Sequence, residues 1–157
     1  MEDVKIASVL NGLVETSRDG ATGFRTCAEG AKDSMLKAFF ETRAKICDEA
    51  VRELNIEVLH HKGKPIEHGS AAGAMRRAWI NIKTVVTSND DLAVLVECER
   101  AEDAALRDYR KALKEDLPAH VRTLVQKQCD GAMENHNRVR QLRDERKQAK
   151  AARKTPA

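Results

Sequence analysis

Three side chains carry the chemistry that this sequence makes most conspicuous: Glu99, Glu102 and His136. Glu99 and Glu102 interrupt the otherwise apolar series Leu92, Leu95, Leu106, Tyr109 and Leu113. Positions three apart share a helix face, so both carboxylates are expected to point inward. His136 stands in a second such series with Cys129, Ala132 and Val139. Counted from a reversal at Leu117-Pro118, Glu99 lies eighteen residues back and His136 nineteen forward. At about 1.5 Å per residue the two reach the same height.

Two readings of this polar layer stand side by side. In the first, carboxylate oxygens and imidazole hold iron or another divalent metal, with Asp19 and Cys47 of the chain's first half as further candidate ligands. In the second, the acids pair with Arg43 or Arg100 and His136 is a hydrogen-bonded core residue. Ligand arithmetic weighs against a symmetric two-metal centre, which in a helical bundle takes a Glu from each of two helices and a Glu-x-x-His from each of the other two. His136 is not part of a Glu-x-x-His, since Met133 stands three residues before it. A mononuclear or vestigial site is the form that stays open, and no catalytic residue is assigned.

The elements that must position these groups are helices. Ala, Leu, Glu, Lys and Arg dominate and there are only 3 prolines, a helix-forming composition. Apolar spacing predicts a helix from about Val4 to Glu29 carrying Ile6, Leu10, Leu13, Ser17, Gly20, Phe24 and Cys27. A second, capped by Asp33, carries Leu36, Phe40, Arg43, Cys47, Ala50 and Leu54. Residues 63–89 form a long connection with one amphipathic piece from Ser70 to Val86, presenting Met75, Trp79 and Ile82. The third helix starts at Asp90 or Asp91 and runs to Leu117, and the fourth carries Val121, Val125, Cys129, Ala132, His136 and Val139. The expected fold is therefore all-α: a four-helix bundle over residues 1–144 with a long crossover, the mark of a ferritin-like arrangement, followed by a basic, frayed tail over 145–157. An echo at an offset of about 82 residues (LVE at 13–15 and 95–97; CDEA at 47–50, CDGA at 129–132) is consistent with two related hairpins.

The net charge is only +3, which argues against a general nucleic-acid binder. The excess is local: from Arg138 onward there are eight basic and two acidic residues. That tail offers a nucleic-acid contact, against the simpler reading of a solvated helix end without aromatic residues for stacking. An amphipathic start and the lack of an 18-residue apolar run predict a soluble, cytoplasmic protein without a membrane span. The four cysteines form no C-x-x-C pair and are expected to be reduced and mostly buried, Cys98 being the exposed one because it lies off the counted stripe. Cys47 and Cys129 are candidates to face one another. His60, His61 and His68 raise metal binding, against a simpler interaction with a helix C-terminus. Gly20, Gly23 and Gly30 are expected at close-packing or helix-ending positions.

Four segments together, LNGLVETSRDGATGFRTCAEGAKD, GSAAGAMRRAWINIK, ECERAEDAALRDYRKALKEDLP and HNRVRQLRD, resemble an uncharacterised bacterial family of ferritin-like four-helix-bundle proteins, a domain of unknown function with rubrerythrin and bacterioferritin as distant relatives. The resemblance spans roughly residues 7–144 and implies a ferritin-like fold without an established activity. Glu99, Glu102 and His136 match ferritin-type ligands, whereas Arg43, Cys47 and Ala50 stand where the second helix would supply them, which speaks against ferroxidase chemistry. The expected function is a non-catalytic structural or stress-associated bundle that self-associates as a homo-oligomer; the alternative is an iron-binding or redox protein built on the polar layer.

Overall fold

The computed structural model describes residues 2–66 and 74–154. Among these, every regular element is a helix: α1 Asp3–Gly30, α2 Ser34–His60, α3 Ala74–Ala78, α4 Ile82–Val86, α5 Asp91–Leu113 and α6 Ala119–Lys154. The apolar series counted along the sequence are buried, apart from Leu92 and Leu113 at the two ends of α5, which are partly exposed. Leu10, Phe40, Leu54, Leu95, Val121, Val125 and Val139 are all fully enclosed.

Local chemistry sets the helix ends. The Asp33 carboxylate accepts from the amides of Met35 at 2.8 Å and Leu36 at 3.4 Å, and Asp90 does the same for Leu92 and Ala93 at 3.0 and 3.3 Å, satisfying donors the first turn leaves open. The neighbouring Asp91 reaches across the bundle instead. Its carboxylate accepts from the amides of Lys32 and Asp33, pinning the start of α5 to the α1–α2 turn. At the end of α2, Lys62 takes the left-handed conformation with φ 61° and the Gly63 amide reaches back to the Val58 carbonyl at 2.9 Å, a Schellman closure. Gly63 is wanted there for space rather than φ, because a Cβ would press on Ala7 and Val58.

α1 and α2 form one antiparallel hairpin and α5 and α6 another. The crossover leaves α2 beside Ala7 near the start of α1, lays Trp79 over Gly23 and Val86 over Gly30, and so travels the length of α1. α5 then descends and α6 returns, with Arg146 paired to Asp33 at 2.7 Å and Lys150 3.9 Å from Asp90. The α1–α2 and α5–α6 seams are extensive, α1 packs on α5 under the crossover, and α2 and α6 meet only narrowly. One end of the core gathers around Phe24, Phe40, Trp79 and Leu95, the other around Leu10, Leu54, Tyr109 and Val125. No helix among the described residues is long and apolar enough to cross a membrane.

Three boundaries differ from the sequence expectation. The amphipathic crossover piece is two short helices, α3 and α4, separated by a turn after Ala78; its expected beginning at Ser70 lies outside the described residues. α5 stops at Leu113, four residues before Leu117, because Arg122 of α6 captures the Leu113 and Glu115 carbonyls at 2.7 and 2.5 Å. Helix α6 continues to Lys154 through the segment expected to fray, with Arg146 and Lys150 holding it to the carboxylates of Asp33 and Asp90.

Candidate functional site

The polar residues of the middle of the bundle separate into an ion-pair layer and a pocket. In the layer, Glu99 and His136 are both buried and lie at one height, with Nε2 of His136 3.9 Å from Oε1 of Glu99. Glu99 is already engaged: Arg143 donates to Oε2 and Arg140 to Oε1, the latter at 3.4 Å. Both arginines follow His136 on α6 at four and seven positions, hence on its face. Asp103 approaches Nε2 of His136 at 2.7 Å, off the line of an N–H bond, so both ring nitrogens are buried without a directed hydrogen bond. Arg100, expected from the sequence as a partner of these acids, is instead exposed and bound to Glu97.

This layer joins α5 to α6, and its removal has a calculable cost. Breaking a buried ion pair from one side leaves the remaining charges uncompensated. Glu99→Ala is expected to lower unfolding free energy by about 2–3 kcal/mol, discounted for the partial exposure of both arginines. Urea denaturation with an unchanged m-value checks this; a change within about 0.5 kcal/mol would make the layer a solvated surface contact.

Glu102 looks into the pocket instead. Asn135 donates to Oε2, the Cys98 thiol to Oε1 at 3.6 Å, and burial pushes its carboxyl up to about 7 against the opposing influence of Asn135 and Arg43. Cys47 sits across from it, its Sγ 3.3 Å from where a Gly20 Cβ would stand, and burial raises its thiol to about 11. Asp19 is not part of this group. It is half-buried, its carboxyl is raised by burial, and its cationic neighbour is Arg76 of the crossover.

Cys98 reverses its sequence expectation. It is fully buried, set against Cys27 and Glu102, and its thiol is raised well above the usual range by burial. Packing of α5 against α1, α6 and the crossover widens its buried arc beyond a single stripe, so a residue three after Leu95 and four before Glu102 is enclosed. All four cysteines are free and buried. Cys47 and Cys129 do not face one another as their spacing suggests, falling in opposite halves of the core.

The pocket itself, about 230 Å³, opens along the thin α2–α6 seam. Phe24, Met75, Trp79 and Ala132 give it apolar walls, while Arg43, Glu102 and Tyr109 contribute polar atoms. One flank is a hydrogen-bonded chain through all four long helices. Tyr109 donates to Oε1 of Gln128 at 3.0 Å, so the 3.2 Å bond between Ser17 and Tyr109 is donated by Ser17. Gln128 in turn donates to the Ala50 carbonyl at 3.4 Å. Burial raises the Tyr109 phenol to about 12, which keeps it a donor. Two donors find no partner among the described residues: Nε of Arg43 and Nε1 of Trp79 are buried without a hydrogen bond. Arg43 also lies over the Phe24 ring, 6.0 Å from its centroid.

Against known families, the model described as "Domain of unknown function (DUF2383)" matches residues 5–115. The chain belongs to the DUF2383 family. No curated protein matches it. In this DUF2383 protein the matched span carries Ser17, Arg43, Cys47, Glu99, Glu102 and Tyr109, whereas Gln128, His136, Arg140 and Arg143 are supplied by α6 beyond it.

Sequence spacing brought Glu99 and His136 together and placed Glu102 within the same region. It missed Asp103, Arg140 and Arg143, although the i+4 and i+7 spacing of the arginines after His136 was a readable signal. It also missed Gln128, whose role depends on a groove between two helices that are not neighbours in sequence. His68 lies outside the described residues.

Proposed function

We propose that this DUF2383 protein is a non-catalytic, ferritin-like helical bundle that binds a small apolar molecule ending in a hydrogen-bond acceptor, a carbonyl or carboxylate. The observation that carries this reading is the pocket between α2 and α6, whose lining residues Arg43 and Trp79 each hold a buried donor, Nε and Nε1, without a partner among the described residues. Apolar walls with a few oriented polar atoms are the usual composition of a ligand site, and a buried donor without a partner is a cost a ligand removes. An enclosed cavity of about 150 Å³ is enough for benzene; this one is larger. The order up, down, lengthwise crossover, down, up supports the ferritin-like assignment.

A variant at Gly131 tests the reading. Gly131 borders the pocket and an added Cβ there would meet nothing within 4 Å, so Gly131→Leu fills the mouth while favouring the helix. Phenylacetate, titrated with the sole tryptophan Trp79 as fluorophore, is expected to give a saturable change in emission that Gly131→Leu abolishes. Absence of saturation, or equal binding by the filled variant, would refute the proposal.

A mid-bundle iron site is the second reading, and one observation favours it: both ring nitrogens of His136 are buried without a directed hydrogen bond beside Glu99 and Asp103. The fit is poor in other respects. Arg140 and Arg143 already occupy the Glu99 oxygens, and Glu102 faces thiol and amide groups. Iron uptake that is lost in both Glu99→Gln and Asp103→Asn would favour this reading over the first.

A further inference from the structure

Away from the pocket, at the end of the bundle where α1 and α6 begin and α2 stops, a second group of donors assembles. Glu57 and His61 are four apart on α2, so they share a face, and His120 comes from the first turn of α6. One ligand atom from each of the three lies within 4.8 Å of the other two; among the described residues this is the one such group of carboxylate, imidazole or thiolate donors. Oε2 of Glu57 is 3.1 Å from Nε2 of His120 and 3.9 Å from Nε2 of His61. The two imidazoles stack with centroids 5.9 Å apart.

The state of His61 points to a ligand. Its Nδ1 lies 2.9 Å from Oδ1 of Asp3, the first residue of α1, while its Nε2 is buried without a hydrogen-bond partner among the described residues. When Nδ1 carries the proton toward Asp3, Nε2 presents a lone pair to the space between Glu57 and His120. A carboxylate behind a histidine, fixing its tautomer and ring orientation, is the usual support of a metal-binding imidazole. A dication there would balance the charges of Glu57 and Asp3 and fill the coordination of the orphaned nitrogen.

We propose that Glu57, His61 and His120 form a binding site for a divalent transition metal of zinc type, with Asp3 as its positioning residue. Two imidazoles and one carboxylate are donors that suit Zn²⁺ and Co²⁺, and three protein ligands leave a position for water. His120 is 63% exposed and Glu57 and His61 are 15% and 12% exposed at the side chain, so an ion enters from solvent and meets two preset ligands and one movable one. The bound ion fastens the beginnings of α1 and α6 to the end of α2. His60 belongs outside the site: its Nδ1 lies 3.6 Å from Oε1 of Glu57 and it is 65% exposed.

Chelator-treated full-length protein titrated with Zn²⁺ by calorimetry, and with Co²⁺ by visible absorption, tests this. One ion per chain is expected, with the d–d bands of a low-coordinate Co²⁺ site. His120→Gln, an exposed change that leaves the fold intact by circular dichroism, should weaken binding on the order of 100-fold, and Asp3→Asn about tenfold. His60→Gln should leave affinity within about twofold, because an excluded residue contributes no bond. No binding by the wild type, an affinity indifferent to His120→Gln, or binding that disappears on His136→Gln instead would each overturn the proposal. None of these results depends on whether the α2–α6 pocket takes a ligand.

Discussion

Gly23→Ala is expected to unseat Trp79 and with it the middle of the crossover. The indole lies so close to Gly23 that an added Cβ would sit well inside van der Waals contact with three of its ring carbons, and the indole also packs edge-on against Phe24 at 5.1 Å between centroids. The ring is enclosed by the core, so it cannot yield as the tip of a flexible chain would. Alanine favours a helix over glycine by about 1 kcal/mol, but overpacking a filled site costs about 1–3 kcal/mol, and displaced indole forfeits part of its buried area. A net destabilisation of about 1–2 kcal/mol is expected, with a red shift of the single tryptophan's emission. Gly12→Ala, on the same helix and with nothing within 4 Å of its added Cβ, should instead stabilise by about 0.5–1 kcal/mol. Equal behaviour of the two variants would mean that the crossover does not depend on contact at Gly23. Because Trp79 and Met75 also line the pocket, the same substitution should weaken any molecule bound there.

The second large effect concerns Glu102 and pH. Its carboxyl is raised from an ordinary 4.5 to about 7, first by burial, so the folded protein holds the neutral form where the unfolded chain is ionised. The sign follows from linkage. Below pH 4.5 both states are protonated and nothing is lost; between 4.5 and 7 stability falls as pH rises, and above 7 the loss is complete. The shift corresponds to at most about 3 kcal/mol. Glu102→Gln, which keeps an acceptor for Asn135, should therefore match the wild type at about pH 4 and exceed it by about 1–3 kcal/mol at about pH 8. Asp33 works in the opposite direction and in another range. Its carboxyl is lowered chiefly by its hydrogen bond to Arg146, so its contribution is present at neutral pH and lost on acidification below the ordinary carboxylate range. Wild-type stability should thus rise from about pH 8 to about pH 5 and decline below about pH 4. Chemical denaturation at three pH values distinguishes these shapes, and a Glu102→Gln gain independent of pH would assign its effect to packing rather than charge.

What the linear order of residues determined is the set of helices and the inward face of each. Three-four spacing of Leu10, Leu13, Ser17 and Phe24, or of Val121, Val125, Cys129 and His136, reports which side of a helix is covered, because burial follows the helical period. Asp33 and the Asp90-Asp91 pair announced two helix starts for the same local reason. Equal distances from a reversal put Glu99 beside His136, since rise per residue converts sequence into height. None of this specifies which helices touch. Cys98 is enclosed because α5 has neighbours on three sides; Gln128 bonds Tyr109 and Ala50 because α2 and α6 leave a gap; His120 reaches Glu57 and His61 because two helix ends converge. Those are relations across the bundle, set by how side-chain volumes pack between helices far apart in sequence, and only the tertiary structure could decide them.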